Sequence, residues 1–289
     1  MRSSYSRVAS VIALLMLVVA SWPVAANRAG LAQGSDDLTS AAQLAVAADF
    51  GVAPDQIVID LVAQDGDWAY GTGVNPGNGD DGNPETRFFL AHNEPDGWNV
   101  ALRYTSDFDL LLRSAPSGFP TPEIRATLEG FSAAGDGSSQ LSFPFPTNET
   151  WGFLGPHPAQ GATTRDALDF YPYYGNAYNA PVLAMRGGIV YRPCENMILI
   201  DHGDGWTTGY YHVINPTVQN GQTVQRGQQI GGTSDQFNCG GFANGPHVHI
   251  WVEFRGQSVA VAGRDIGGWT VEAGPNPYAG CLVKGATRR

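Results

Sequence analysis

The chain has 289 residues and a formal net charge of −11, with 27 acidic side chains against 16 Lys and Arg. This length allows more than one domain. The acidic balance, without a basic patch in either half of the chain, excludes nucleic-acid binding as a function.

The first 26 residues have the parts of a secretory signal peptide. Arg2 and Arg7 precede an apolar run from Val11 to Ala20, which is too short for a stable membrane anchor. Val24 and Ala26 stand at the third and first positions before an expected cut after Ala26. We therefore expect residues 1–26 to be removed and the protein to be secreted, with no membrane association afterwards.

Charge divides the remaining chain. Residues 27–150 contain eighteen acidic and five basic side chains, whereas residues 151–289 contain nine of each. We expect a small acidic α+β domain over residues 27–131. Its first element is a helix in DDLTSAAQLAVAADFGVAPDQ, capped by Asp36 or Asp37 and stopped by Gly51 and Pro54. The segments IVIDLVAQDGDWAYGTGV and TRFFLAHNEPDGWNVALRYTSDFDLLLRSA indicate strands, and His92 is assigned to a loop.

Residues 132–150 change in character from small residues and glycine to alternating proline and phenylalanine. This composition is typical of a linker that continues as an extended strap on the next domain. From Trp151 onward, short apolar runs such as NMILIDHGDG and WTTGYYHVINP are separated by glycine turns, without a segment of helical period. The pattern predicts an all-β antiparallel domain over residues 151–289.

The stretch NGPHVHIWVEF, residues 244–254, contains two histidines that flank one valine. Alternate side chains of a strand point to opposite faces. One face is then apolar and belongs to the core: Val248, Ile250, Val252 and Phe254. The other is directed to a cleft or an exposed sheet face: His247, His249, Trp251 and Glu253. The pair therefore suggests a metal or catalytic site.

Five of the six histidines lie after Trp151, which raises the question of a metal. Catalytic zinc takes three protein ligands from histidine and carboxylate. His157 is in a Gly/Pro loop, and Asp169 lies between Leu168 and Phe170 on an expected strand. Asp166 is the competing carboxylate. His212 is expected to share a strand face with Tyr210 and Thr208, and His202 is interpreted as a structural turn residue.

His157, Asp169 in LDF, His212 in YYHV and the GPHVH segment follow one another in an order that resembles the lysostaphin-type zinc metallopeptidases, most closely their staphylolysin and beta-lytic branch. The resemblance covers about residues 150 to 260. It implies the lysostaphin-like metallopeptidase fold. It also implies that His157, Asp169 and His249 bind Zn²⁺ and that His212 and His247 are catalytic.

Three cysteines are present in a chain that is expected to be exported. Cys194 and Cys239 are the preferred disulfide, because it would close a loop around the segment with His202 and His212, and the resemblance implies the same pair. Cys281 then has no partner. The position of the acidic domain between signal and catalytic domain suggests a propeptide that covers the cleft until proteolysis near residues 132–150. The alternative is a permanent accessory domain that binds the cell wall, which its acidity disfavours because wall polymers are anionic.

The sequence thus predicts a secreted, monomeric zinc metalloendopeptidase that hydrolyses peptide bonds of bacterial peptidoglycan and is made as a zymogen. A first alternative is a catalytically silent protein on the same fold that binds the wall or regulates hydrolases. A second is a protease that acts on glycine-rich proteins.

Overall fold

The computed structural model describes residues 37–77, 84–130, 141–158 and 164–289. The predicted signal peptide, residues 1–26, and the part 132–140 of the predicted linker lie outside these ranges. Within them, no helix is both long enough and apolar enough to cross a membrane.

The first described element is the predicted helix, α1 (Leu38–Phe50). The Asp37 side chain accepts hydrogen bonds from the backbone amides of Thr39 and Ser40, which satisfies donors that the first turn would otherwise leave unpaired. Gly51 ends the helix in the left-handed conformation at φ 70°. A short 3-10 helix (Pro54–Gln56) follows. These local capping signals explain why the sequence predicts this element well.

An antiparallel sheet follows, in which four strands pair in chain order. The strands are β1 (Val58–Asp65), β2 (Trp68–Asn75), β3 (Glu85–Glu94) and β4 (Gly97–Leu102). His92, which was assigned to a loop, is a residue of β3, and its ring stacks on Trp68 with centroids 4.1 Å apart. Cross-strand packing at the end of the hairpin thus extends the strand beyond the position that the turn residues suggest.

The segment TSDFDLLLRSA was expected to be extended, and this expectation is wrong, because it forms helix α2 (Ser106–Ser114). The Thr105 hydroxyl accepts from the amide of Phe108 and caps the helix. Phe108, Leu111 and Leu112 are buried at helical spacing. A further helix, α3 (Pro122–Leu128), was not predicted. Thr121 caps it, and proline occupies its first turn.

Residues 141–150 lie along the β region that follows. The Ser142 amide donates to the Met185 carbonyl at 2.8 Å, and the Leu183 amide donates to Pro144 at 2.8 Å. Phe145 is buried and stacks on Trp151 with centroids 4.7 Å apart. The described part of the predicted strap therefore packs on the next region through both backbone hydrogen bonds and aromatic contacts.

The site is built on a large antiparallel sheet of eight strands. Its strands are β5 (Trp151–His157), β6 (Ala167–Pro172), β8 (Gly188–Tyr191), β9 (Ile198–Asp201), β10 (Trp206–Tyr211), β12 (Thr223–Val224), β14 (Val248–Phe254) and β15 (Gln257–Ser258). Seven of them have the spatial order β12-β8-β9-β10-β14-β6-β5, and β15 pairs with β14.

Two smaller antiparallel sheets complete the fold. The first contains β7 (Pro181–Leu183), β11 (Val213–Ile214) and β13 (Gln229–Thr233). The second contains β16 (Asp265–Ile266), β17 (Trp269–Ala273), β18 (Gly280–Lys284) and β19 (Thr287–Arg288). The fold is thus antiparallel β after Trp151 and is preceded by a small α+β region, as predicted.

The alternation expected for residues 247–254 is present in β14. Val248, Ile250 and Val252 are buried in a core shared with the smaller sheets. Phe254, expected in the same core, is 38% exposed at the end of the strand. His249 and Trp251 face the other side, because a shift of one residue would move the aliphatic side chains out of the core. The register of β14 therefore determines where the histidine face lies.

Candidate metal centre and active site

Two of the predicted ligands lie on neighbouring strands at one end of the large sheet, where β5 is the edge strand and β6 is next to it. His157 is the last residue of β5 rather than a loop residue, and Asp169 is in the middle of β6. Leu168 and Phe170 are almost completely buried in the core, so alternation turns Asp169 to the opposite face. Asp169 is therefore held by a strand whose other face is packed.

The third predicted ligand joins them through strand pairing. His249 of β14 is directly opposite Asp169 of β6 in the ladder. His249 Nδ1 is 2.8 Å from Asp169 Oδ1 and 3.3 Å from His157 Nε2, and His157 Nε2 is 3.5 Å from Asp169 Oδ1. All three residues are buried, and their ligand atoms converge on one point. This group is one that could hold a metal ion.

The protonation states of these groups suit a metal. His157 Nδ1 donates to the Gly155 carbonyl at 3.0 Å, which leaves Nε2 with its lone pair directed at the cluster. Burial lowers the pKa of His157 to about 4. Burial alone would raise the pKa of Asp169, but the hydrogen bond from His249 and the neighbouring imidazoles lower it well below its usual value. Two imidazoles and one carboxylate are the donor set of a catalytic zinc site.

The two histidines predicted to be catalytic lie beside this group. Their ring centroids are 4.5 Å apart. His247 Nδ1 donates to the Gly245 carbonyl at 2.7 Å, and His247 Nε2 is 3.6 Å from Asp169 Oδ1. His212 Nδ1 donates to the Gln236 carbonyl at 2.9 Å, and burial lowers its pKa to about 3. In both rings the hydrogen bond to a carbonyl requires a proton on Nδ1, so Nε2 is the nitrogen left for proton transfer.

The position of His212 differs from the expected strand alternation. β10 ends at Tyr211, and His212 has φ 60°. A non-glycine residue with positive φ leaves the extended conformation and often marks a functional site. The side chain therefore does not share the core face with Tyr210. It lies instead against Tyr211 and His247, with ring centroids 4.4 and 4.5 Å away.

A hydrogen-bond network holds the backbone around His212. Asn196 accepts from the Val213 amide through its carbonyl and donates from Nδ2 to the Val213 carbonyl and to Gln236 Oε1. The Ser234 hydroxyl donates to the carbonyl of His212 at 2.8 Å. Asn196 thus links the chain that follows His212 to the segment whose Gln236 carbonyl accepts from the imidazole.

The predicted disulfide, Cys194–Cys239, is present, and Cys281 is not part of a disulfide. The two bridged cysteines are 45 residues apart. Cys194 is two residues before Asn196, and Cys239 is three residues after Gln236. The bridge therefore joins the two ends of the network that surrounds His212.

All five predicted residues line one groove with a volume of about 640 Å³. Its walls also contain residues outside this set of five. These are Leu154, Pro158, Tyr171, Phe242, Ala243, Asn244, Gly245, Pro246 and Tyr278. The signal for Phe242 to Pro246 was their place directly before His247. Tyr278 gives no such signal, because it lies on the chain between β17 and β18, far from every histidine in sequence.

The aromatic side chains between Phe170 and Ala180 do not share one environment. Phe170 is in the core, Tyr171 lines the groove, and Tyr173 and Tyr174 are exposed elsewhere. The Tyr178 hydroxyl accepts a hydrogen bond from Gln236 Nε2 at 3.1 Å.

Two further titratable residues lie apart from the cluster. Asp166 is buried, but it does not belong to the group of converging ligand atoms, which contains Asp169. His202 is also buried. Its Nδ1 donates to the Gly187 carbonyl at 2.8 Å, and its Nε2 is 3.2 Å from the Thr208 hydroxyl. Neither residue lines the groove.

Residues 169–261 match the model of Peptidase family M23. The chain carries an M23 peptidase domain. The matched range contains Asp169, His212, His247 and His249, whereas His157 precedes it. Peptidases of family M23 depend on zinc, which agrees with the two imidazoles and one carboxylate that converge here.

Three relatives are similar to the chain that carries this M23 domain. Protease LasA of Pseudomonas aeruginosa is 27% identical over 193 residues, which cover 63% of this chain and 46% of LasA. Beta-lytic metalloendopeptidase of Lysobacter enzymogenes is 29% identical, over 48% of this chain and 82% of the relative. Peptidoglycan DD-endopeptidase ShyA of Vibrio cholerae is 27% identical, over 43% of this chain and 30% of ShyA. The chain thus matches less than half the length of LasA.

Proposed function

We propose that this protein is a secreted zinc endopeptidase that hydrolyses peptide bonds of bacterial peptidoglycan. The observation that supports this most directly is the convergence of His157, Asp169 and His249 beside His212 and His247 in one groove. The similar proteins also support it, because their names describe a protease, a beta-lytic metalloendopeptidase and a peptidoglycan DD-endopeptidase. Secretion rests on the predicted signal peptide, residues 1–26.

In this proposal His157 Nε2, Asp169 Oδ1 and His249 Nδ1 hold the zinc. The proton that His249 Nδ1 shares with Asp169 in the structure has to leave before this nitrogen can act as a ligand. When bound, zinc supplies Lewis acidity that polarises the scissile carbonyl and makes water a better nucleophile. Pairing of β5, β6 and β14 holds the three residues side by side without a metal.

His212 and His247 are the proposed acid and base. Each donates its Nδ1 proton to a backbone carbonyl, so Nε2 is the nitrogen that each ring has left for proton transfer in the groove. One of them takes the proton of the attacking water and returns it to the amine that leaves. The protonated ring can also donate a hydrogen bond to the oxyanion that develops. The carbonyls of Gln236 and Gly245 determine which nitrogen of each ring does this.

The experiment that tests this proposal is mass spectrometry of the peptides that the chain from residue 27 onward releases from purified peptidoglycan. Release that stops with a chelator and returns with zinc supports the enzyme, and the new amino termini identify the bond. Zinc binding without release from several wall types, together with cleavage of a glycine-rich protein, would support the second alternative. Binding to the wall without any hydrolysis would support the silent protein.

The proposed maturation needs a separate test. None of the described residues between 37 and 130 lines the groove, so the described residues give no support to inhibition by direct cover of the cleft. The propeptide prediction for residues 27–131 therefore stays a prediction. Equal hydrolysis of peptidoglycan by the uncut chain and by a chain cut between residues 130 and 141 would contradict a zymogen.

A further inference from the structure

The α+β region of residues 37–130 packs on the same face of the large sheet that carries the metal ligands. We call the covered part the docked face, which consists of Ala167, Ile189, Tyr191, Leu199, Tyr211 and Trp251. Trp251 is two residues after His249 on β14, and the two rings are 6.0 Å apart. The N-terminal region therefore begins to cover this sheet face directly beside the candidate metal centre.

Apolar side chains from both sides form one continuous core. From the N-terminal region it receives Tyr70, Val74, Phe88, Leu90, Ala101, Phe108, Leu111, Leu112, Phe119 and Ile124. The ring of Phe88 meets the ring of Tyr191 edge-on at 4.7 Å. Every member of the docked face is at most 2% exposed. Separation of the two parts would expose this apolar surface to water, which opposes separation.

A buried ion pair also joins the two regions. Arg103 follows β4, and its Nη1 contacts Oδ2 of Asp201 at the end of β9. The two side chains are 6% and 0% exposed. The guanidinium also lies over the Tyr104 ring at 4.8 Å, and Asp201 Oδ1 accepts from the Gly203 amide at 3.0 Å. Loss of one partner of such a pair leaves an uncompensated charge in a desolvated site.

Other polar contacts also join the two regions. Asn220 Nδ2 donates to Asp60 Oδ2 at 2.8 Å, and the Tyr70 hydroxyl is 3.3 Å from the Tyr191 hydroxyl. Near the groove, the Gly77 amide donates to the Cys239 carbonyl at 3.2 Å. Cys239 precedes the groove residues Phe242 to Pro246 by three positions, so this last contact connects the N-terminal region to the groove wall.

We infer that residues 37–130 stay bound to the docked face after the chain is cut between residues 130 and 141, and that the working protein is a complex of the two pieces. None of the contacts described above involves a residue of 131–140, so a cut there breaks none of them. The N-terminal region then stays packed on the large sheet, which carries the groove. This inference concerns association and does not depend on the proposed peptidase activity.

The test starts from the chain of residues 27–289 in which Ala133–Ser139 is replaced by the recognition sequence of a site-specific protease. The purified protein is cut under native conditions and analysed by size-exclusion chromatography with gel electrophoresis of the fractions. We expect both pieces to elute together at the volume of the uncut protein. Elution of a soluble, zinc-binding C-terminal piece by itself would overturn the inference, whether or not any sample hydrolyses peptidoglycan.

The ion pair provides a matched set of variants. Arg103→Met leaves Asp201 buried without its cation, and we expect the two pieces to associate about 100-fold more weakly. Asp49→Asn is the control, because it removes the ion pair between Arg87 and the half-exposed Asp49 within the N-terminal region. This control should change association by less than about threefold. Equal affinity of the Arg103→Met and control complexes would contradict the role of the pair.

Circular dichroism of the uncut variants shows whether each still folds. If Arg103→Met does not, the double variant Arg103→Met/Asp201→Asn removes both charges and relieves the unpaired carboxylate. The inference then requires that its pieces still elute together after the cut, because the apolar core remains. Separation of the folded double variant would contradict the proposed contribution of that core.

Discussion

The phenol ring of Tyr278 lies nearly parallel to the imidazole of His157, with centroids 4.1 Å apart and an interplanar angle of 18°. The backbone fixes this contact, because the Gly155 amide donates to the Tyr278 carbonyl at 3.0 Å. Tyr278 lies beyond the range that matches family M23. The hairpin of β17 and β18 thus adds a wall to the candidate metal centre, whose three ligand candidates all lie on the large sheet.

We predict that Tyr278→Ala lowers zinc affinity about tenfold. The Tyr278 ring stacks on the His157 imidazole, and contacts of this kind behind a ligand fix the orientation of its ring. Tyr278→Phe should keep the zinc affinity, since the stacked ring remains. Titration against a zinc indicator measures both. Tyr174→Ala is the control, because Tyr174 is 75% exposed and lies outside the groove. An unchanged affinity in Tyr278→Ala would contradict the supporting role.

His249 in β14 and His247, which directly precedes this strand, should respond differently to substitution. His249→Ala removes a converging ligand atom, so we expect loss of zinc binding. His247→Ala leaves the three ligand atoms in place, so zinc should remain while turnover falls at least about 100-fold. Metal analysis after gel filtration, paired with peptide release, separates the two effects. Equal loss of zinc in both variants would show that the division of roles is wrong.

Asn196 is predicted to position His212. Asn196→Asp tolerates the positive φ of 68° but loses the Nδ2 donor that reaches Val213 and Gln236. We expect kcat to fall about tenfold or more because the imidazole loses its alignment, with KM and zinc content unchanged. Asn215→Asp is a matched control, because Asn215 also has positive φ and its Nδ2 donates to Asn179. An equal loss of kcat in both variants would contradict the assignment.

Acid should destabilise the metal-free protein. Burial lowers the pKa of His157 to about 4, of His202 to about 4 and of His212 to about 3, from an ordinary 6.5. The unfolded chain therefore binds more protons below pH 6.5, and the free energy of unfolding falls as the pH drops from about 6.5 to about 4. Each of the three imidazoles contributes on the order of 3 kcal/mol to this loss of the free energy of unfolding.

Urea unfolding of chelated protein at several pH values in this window checks the prediction. Zinc-loaded protein is the comparison, because a metal that binds only the folded state adds stability until its ligands take up protons. A free energy of unfolding that does not change between pH 6.5 and pH 4 in the chelated sample would contradict the buried, neutral state of these three rings.

The disulfide should stabilise the region around His212. Replacement of Cys194 and Cys239 by serine removes a bridge between residues 45 positions apart and should cost about 2 to 4 kcal/mol. Cys281→Ser is the control, because this cysteine forms no disulfide. Thermal unfolding measures both. A lower Tm in the control than in the double variant would contradict the assignment.

Some features of the fold follow from residues that are close in sequence. Asp37 and Gly51 cap α1 from within a few positions, and the alternation in β14 requires only that one face be apolar. Where no such local signal dominates, the prediction failed. The segment of α2 has an apolar content that also suits a strand, and burial of Phe108, Leu111 and Leu112 in the tertiary core favours the helix. His212 leaves its strand because long-range bonds from Asn196 and Ser234 hold it at positive φ.

The sequence by itself determined the four candidate histidines and the Cys194–Cys239 pair, because ligand chemistry requires specific residue types and their order along the chain resembles a known family. Only the tertiary structure decided that Asp169 rather than Asp166 converges with the histidines, that Tyr278 stacks on His157, and that Arg103 pairs with Asp201. Each of these depends on which distant strands become neighbours. That choice is made by packing of the whole core, which no short stretch of sequence records.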